Sequence, residues 1–214
     1  MLDTSLLSLP TALAEHGWLH LPGVGEGGVN AVIEALDAHI LHTTDVVVRE
    51  GRALVTSDRA LDYHTDHHRA DVIVWHCHVQ TDDGGHSMLA DALAAYRSLP
   101  ADVRLALDTI ELFEHSIFPG DRNTHPVVEH TADGPRFYCS FWFDPERPLS
   151  EAQRAAFSAF EVAIRRHPVA KLRLRPDDVL VVDNRRILHG RTAITGSRDR
   201  HLVRRWLERA AASR

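Results

Sequence analysis

Residues 71–79 read DVIVWHCHV and residues 179–183 read VLVVD, and both segments are apolar almost throughout. Short apolar runs bounded by polar residues predict buried β-strands. From about residue 44 onwards the chain holds further candidates of this kind, at 45–49, 52–56, 86–90, 110–118, 136–143, 169–174 and 201–207. Many short strands with few helices predict a mainly β fold with flanking helices. The expected core is a double-stranded β-helix, the jelly roll also found in cupins, rather than a βαβ sheet.

The helical patterns lie mostly outside these strands. They are predicted at 8–16, 28–41, 91–98, 101–108 and 150–166, and a strand at 17–21 follows the first of them. Ser150 is the expected N-cap of the clearest helix, and Asn30 is a possible cap within 28–41. We expect one domain over 1–214, with N-terminal elements in 1–43 and the jelly-roll core at about 44–207.

Composition excludes several classes of partner. The 214 residues are 44% hydrophobic and 25% charged, as in a globular protein, and the net charge of −6 argues against nucleic acid. No apolar run is long enough to span a bilayer, and the N-terminus lacks the basic region of a secretory signal. Two cysteines are too few for a disulfide framework, so we expect a cytoplasmic protein without membrane partners.

Sixteen histidines make metal binding a natural hypothesis. His64 and Asp66 form the chain's single H-x-[DE] motif, and in an extended segment their side chains project to the same side. His189 follows the strand VLVVD. Two imidazoles and one carboxylate on one face are the ligand set of non-haem Fe(II) oxygenases. The alternatives are a surface turn with a His–Asp hydrogen bond and a core histidine at a strand end.

A second histidine group permits another reading. His76 and His78 alternate on a predicted strand, with His67 and His68 nearby, so that a zinc site is conceivable. The run around His76 is apolar and has no partner pair at zinc-finger spacing. We therefore interpret His76, Cys77 and His78 as core or cavity-lining residues.

Four blocks of sequence resemble the TauD/TfdA-type (taurine dioxygenase and clavaminate synthase-like) Fe(II)/2-oxoglutarate-dependent oxygenases over about residues 60–207. They occur in the family's order as YHTD (63–66), GGHSMLAD (84–91), DNRRILHGR (183–191) and DRHLVRRW (199–206). Arg200 and Arg204 fall eleven and fifteen residues after His189. The chain is shorter than many members of the family, which leaves its substrate-recognition residues undefined.

The resemblance implies a site and a reaction. His64, Asp66 and His189 would hold Fe(II), and Arg200 with the hydroxyl of Ser87 would bind the distal carboxylate of 2-oxoglutarate. Arg204 would meet either substrate or 2-oxoglutarate. The expected enzyme is a dioxygenase that uses O2 to hydroxylate a small amino-acid-like or organic-acid substrate and releases succinate and CO2. Because position 66 is a carboxylate rather than a small residue, hydroxylation is expected over halogenation, while desaturation and cyclisation stay open.

Two other readings remain at this point. A cupin-type metalloenzyme without 2-oxoglutarate would have no need of Arg200 and Ser87, and a non-catalytic jelly-roll binding protein would have no need of the metal ligands. The polar segment 119–135, with two glycines and three prolines, is expected to form a loop-like lid over the site.

Overall fold

The computed structural model describes residues 8–49, 54–114, 116–122, 124–140, 145 and 148–210. These form five α-helices and thirteen β-strands. In chain order they are α1 (Leu9–His16), β1 (Trp18–Leu21), α2 (Gly25–Ala35), β2 (Ala38–Val47), β3 (Leu61–His64), β4 (Val72–Val79), β5 (Ser87–Asp91), α3 (Ala92–Ser98), α4 (Ala101–Leu107), β6 (Glu111–Phe113), β7 (Thr124–Pro126), β8 (Val128–Thr131), β9 (Gly134–Phe137), α5 (Glu151–Arg166), β10 (Pro168–Leu172), β11 (Val179–Asp183), β12 (Ile187–Arg191) and β13 (His201–Arg209).

The larger sheet has the strand order β1-β11-β4-β13-β2, and all its pairings are antiparallel. Its central strands β4 and β11 are apolar on both faces, because each face is covered. Val72 and Val74 pack with α1 and α2, whereas Ile73 and Trp75 point to the other side and join the inner core. The period of two along a strand therefore explains why DVIVWHCHV shows no polar alternation.

The smaller sheet, of order β10-β5-β12-β3, supplies the other wall of the inner core. Leu89 and Ile187 face the larger sheet across that core. Their neighbours Ala90 and Leu188 point outward and pack with α3 and α5. Two short two-stranded ribbons, β6-β7 and β8-β9, complete the described strands.

The helix α5 begins as the sequence predicts. The Ser150 hydroxyl accepts from the Gln153 amide, and the Gln153 side chain accepts from the Ser150 amide, which is a capping box. The predicted mainly β class with flanking helices is confirmed. No helix among the described residues has both the length and the apolar character required to cross a membrane. Cys77 and Cys139 are buried free thiols.

Several predicted boundaries were wrong. The segment 28–41 splits into α2 and β2 at Asp37, whose positive φ of 47° ends the helix, and Asn30 lies inside α2 rather than at its cap. The segment 119–135 contains β7 and β8 and the start of β9, so most of it is paired strand and not a loop. Residues 54–56 form a 3-10 turn, and the described residues of 110–118 are strand only at β6. Residues 52–53 and 141–143 of two predicted strands lie outside the described residues.

Candidate active site

His64 and His189 are brought together by strand pairing. They lie on β3 and β12, and their Cα atoms are direct partners in the antiparallel register. A bulge follows at Gly190, where a Cβ would lie 2.7 Å from the carbonyl oxygen of Leu61. Only glycine permits the backbones to approach so closely, and this explains the glycine after His189.

Asp66 lies in the turn after β3, and Asn184 holds that turn in place. The Asp66 amide donates to Oδ1 of Asn184 at 2.8 Å, and Nδ2 of Asn184 donates to the Ala70 carbonyl at 2.9 Å. Asn184 is 1% exposed and follows β11. No pattern in the sequence marks Asn184 for this role, although it stands within the block DNRRILHGR that also contains His189.

The three candidate ligands converge on one point. Nε2 of His64 lies 3.8 Å from Oδ1 of Asp66, and Nε2 of His189 lies 3.8 Å from Oδ2. All three donor atoms fall within 4.8 Å of one another, and all three side chains are buried. The surface-turn alternative for the H-x-D motif is therefore excluded.

Both imidazoles favour the neutral form over the charged one. Nδ1 of His64 is 2.8 Å from the Asp62 carbonyl, to which it donates, so its Nε2 carries the lone pair toward Asp66. Neither ring nitrogen of His189 has a hydrogen-bond partner among the described residues, although both are buried. Burial lowers the pKa of His64 and lowers that of His189 well below its ordinary value. An orphaned buried imidazole beside a carboxylate fits a metal ion.

The Asp66 carboxylate is held by two side chains from β13. Nη1 of Arg204 donates to its oxygens at 2.8 and 2.9 Å, and Nε1 of Trp206 donates to Oδ2 at 2.8 Å. Burial opposes ionisation, but the Arg204 guanidinium and the indole donor of Trp206 favour it, and the pKa of Asp66 lies below its usual value. The carboxylate is therefore charged, as a metal ligand must be.

A cavity opens beside the two histidines and contains two buried guanidinium groups. Arg200 and Arg191 both line it, together with Ser87 and Arg204. Arg200 is 4% exposed and Arg191 is 6% exposed, and within the described residues neither forms an ion pair with a carboxylate. Burial, with Arg191 as a second cause, lowers the pKa of Arg200 to about 10.

The contacts of these cations suit an anionic ligand. Nε of Arg200 donates to the Gln80 side chain at 3.2 Å, while Arg191 donates to the carbonyls of Ser57 and Arg59. Neutral acceptors leave the positive charges uncompensated, which is costly in a buried place unless an anion binds. Gly85, with a φ of 64°, makes room for Arg200, because a Cβ there would lie 3.2 Å from its Cδ and Nε.

The sequence missed Arg191 and Trp206 as site residues. Arg191 follows His189 by two positions on β12 and so shares its face.

The predicted placement of His76 and His78 was partly wrong. His76 is buried on the outer side against Glu26, and His78 is exposed. Within the described part of the chain, neither belongs to a group of metal-type ligands.

Three convergent side chains that could hold a metal ion, beside a cationic cavity, are the arrangement expected of a metal-dependent enzyme with an anionic co-substrate. A family model described as taurine catabolism dioxygenase TauD, TfdA family, matches residues 3–206. The chain belongs to this family of dioxygenases, which confirms the resemblance drawn from the four sequence blocks. A comparison with curated proteins gave no match.

Three solved structures are similar to this chain in fold at low sequence identity. An asparagine oxygenase in complex with Fe(II), 3-hydroxyasparagine and succinate has a TM-score of 0.76 and 17% identity, covering 94% of this chain and 77% of that one. PvcB of Pseudomonas aeruginosa has a TM-score of 0.71 and 19% identity, with 97% and 81% covered. The oxygenase OrfP with Fe, succinate and (3S)-hydroxy-L-Arg gives 0.73 and 15%, with 96% and 81% covered.

Proposed function

We propose that the protein is an Fe(II)- and 2-oxoglutarate-dependent dioxygenase that hydroxylates an unactivated C–H bond of a small amino-acid-like or organic-acid substrate. Succinate and CO2 are the co-products. The observation that carries the proposal is the meeting of His64, Asp66 and His189 at the wall of a cavity that also holds buried guanidinium groups.

His64, Asp66 and His189 would hold the iron. Their two neutral imidazoles and one carboxylate leave the opposite side of a metal ion open for other ligands. Arg204 and Trp206 position the carboxylate, because together they donate to both of its oxygens. When bound, iron and 2-oxoglutarate would supply the redox chemistry that activates O2 for oxidation of a C–H bond.

Arg200 and Ser87 would bind the distal carboxylate of 2-oxoglutarate. A guanidinium group matches a carboxylate in charge and in geometry, and a hydroxyl donates a further hydrogen bond. Arg191 adds a second buried positive charge in the same cavity. The apolar wall of Val46, Leu180 and Leu202 excludes water from the ligand and strengthens these contacts.

Arg204 has a different place from the one the sequence suggests. We propose that Arg204 acts on Asp66 rather than on the distal carboxylate of 2-oxoglutarate, because its guanidinium already forms an ion pair with the Asp66 carboxylate. It borders the cavity as well, so its Nε remains available to a ligand there.

The scaffold we propose for this site is a jelly roll that forms one domain over 1–214. The two antiparallel sheets face each other across a shared apolar core, and the ligands come from the smaller sheet and the turn that follows it. A cytoplasmic setting agrees with two buried free thiols.

A cupin-type metalloenzyme without 2-oxoglutarate is the second candidate function. It would explain the triad but not two buried arginines without carboxylate partners among the described residues. The substrate class rests on the relatives, since the asparagine oxygenase and OrfP structures contain hydroxylated asparagine and arginine.

The test is the release of succinate from 2-oxoglutarate with Fe(II), ascorbate and O2, across a panel of free amino acids and small organic acids. The expected result is succinate formation stimulated by one member of the panel, with a product 16 mass units heavier than the substrate, roughly one oxygen atom as a C–H hydroxylation requires. Turnover that proceeds without 2-oxoglutarate would favour the cupin-type enzyme.

A further inference from the structure

Three imidazoles converge on one buried carboxylate outside the proposed iron site. Nε2 of His67 and Nε2 of His125 each lie 3.5 Å from Oε2 of Glu114, and Nδ1 of His68 contacts the same oxygen. We call these four residues the histidine cluster. Its first two members directly follow Asp66 in sequence, whereas the other two come from the β6-β7 ribbon and the residue after β6.

Glu114 lacks the partner that a buried carboxylate usually has. Its residue is 8% exposed, and among the described residues its only ion-pair partners are histidines, with no lysine or arginine within reach. Buried charges without a cationic side chain are typical of metal coordination.

Two of the three contacts to Glu114 are too long for hydrogen bonds, whereas His68 lies within hydrogen-bonding distance of it. A nitrogen-to-oxygen hydrogen bond is typically about 2.7–3.2 Å long, shorter than the two separations of 3.5 Å. Two ligand atoms that are each about 2.0–2.1 Å from a tetrahedral zinc ion lie roughly 3.4 Å apart. The ligand atoms of His67, His68 and Glu114 all fall within 4.8 Å of one another.

We propose that His67, His68, His125 and Glu114 form a second metal site, which takes zinc or a similar divalent ion with three imidazoles and one carboxylate. Such a closed set of four protein ligands is characteristic of structural rather than catalytic zinc. A polar cavity of about 160 Å³, lined in part by His68, His125 and Tyr138, gives the ion a path from solvent.

The ion would join two parts of the molecule that carry and cover the iron site. His67 and His68 belong to the turn that presents Asp66, and the ring of His67 stacks on Trp206 with centroids 5.6 Å apart. The indole of Trp206 in turn donates to Asp66. Glu114 and His125 belong to the β6-β7 segment, so a bound ion would fasten that segment to the turn that holds the iron ligand.

The competing account is a metal-free hydrogen-bond network. In that network the Arg69 amide donates to Nδ1 of His67 at 3.2 Å, and Nε2 of His67 donates to Asp121 at 3.1 Å. His125 would donate from Nε2 to the Arg122 carbonyl at 3.1 Å. A metal on these nitrogens replaces those protons, so the two accounts differ in whether the protein binds an ion there at all.

The experiment counts zinc ions bound at equilibrium, by dialysis against Zn(II) and elemental analysis. The His189→Ala variant removes the proposed iron site from the count, so the result does not depend on that site. We expect two equivalents in the wild-type protein and one in His189→Ala. A zinc-edge anomalous map of crystals of this variant should place its ion between Glu114 and the three imidazoles. His189→Ala protein that binds no zinc after dialysis would overturn the proposal.

Two further substitutions, made in the His189→Ala background, identify the ligands. Glu114→Gln keeps the shape of the side chain and should lose the remaining equivalent, and His125→Gln should weaken its binding at least tenfold. The matched control is Glu111→Gln, an exposed glutamate three positions earlier on β6, which should still bind one equivalent. Retention of the ion at unchanged affinity in both Glu114→Gln and His125→Gln would contradict the assignment.

Discussion

Replacing Arg200 by alanine is the most direct perturbation of the proposed co-substrate site. The side chain is almost entirely buried, and its guanidinium has only a neutral acceptor, Gln80, among the described residues. Its charge is therefore available to a ligand. In Arg200→Ala the distal carboxylate of 2-oxoglutarate would enter a buried cavity in which its negative charge has lost its main partner.

The magnitude follows from the cost of breaking a buried pair. Removal of one member of such a pair costs about 3–5 kcal/mol. Arg191 lines the same cavity and retains one positive charge, so we expect the lower end of this range. A loss of about 3 kcal/mol corresponds to a rise of roughly 150-fold in the Kd for 2-oxoglutarate.

The assay is anaerobic calorimetric titration of 2-oxoglutarate into protein loaded with Mn(II) in place of Fe(II). Arg198→Ala is the matched control, because Arg198 lies two positions away, is exposed and pairs with Asp58 at the surface. It should change the affinity by less than about twofold. An unchanged Kd in Arg200→Ala would refute the assignment of the carboxylate site and favour the cupin-type alternative.

Three smaller perturbations test the surrounding contacts. Ser87→Ala should raise the Kd for 2-oxoglutarate about fivefold, the effect of one hydrogen bond worth about 1 kcal/mol, and an effect as large as that of the arginine substitution would be inconsistent with this role. Trp206→Phe removes the indole donor to Asp66 and should lower the affinity for Fe(II) roughly 10-fold to 100-fold in a metal titration. An unaltered affinity would show that the indole does not help to hold Asp66. Because the folded pKa values of His64 and His189 lie below the unfolded value of about 6.5, the unfolded metal-free chain takes up protons first as the pH falls. The free energy of unfolding, measured in urea, should then decline below that pH by about 1 kcal/mol per pH unit for each histidine. The decline should be shallower in His189→Gln. An equal slope in both proteins would contradict a neutral, buried His189.

The sequence predicted the candidate ligands of the site better than the residues that hold those ligands in place. His64 and His189 are far apart in the chain, but each stands in a short block that resembles a ligand motif of the family. Asn184 and Trp206 act through tertiary contacts with Asp66, and no local pattern marks an asparagine or a tryptophan for that role. The family order of the blocks carried information that composition and periodicity lacked.

The fold was predictable where a strand is long and apolar, and less so where it is short. The run around Val72 and the run around Val179 show their burial directly. By contrast β3, β7 and β12 are three to five residues long, contain polar ligand or loop-like residues, and are fixed by pairing with distant strands. The polar character of 119–135 concealed its strands for the same reason.

The most direct test of the central claim is the visible spectrum of the anaerobic protein with Fe(II) and 2-oxoglutarate. Chelation of 2-oxoglutarate to iron held by two imidazoles and one carboxylate should produce a weak metal-to-ligand charge-transfer band. His64→Ala, Asp66→Ala and His189→Ala should each abolish it, while His130→Ala, at an exposed histidine of β8, should retain it. A band that persists in all three ligand variants would contradict the assignment of His64, Asp66 and His189 as the iron site.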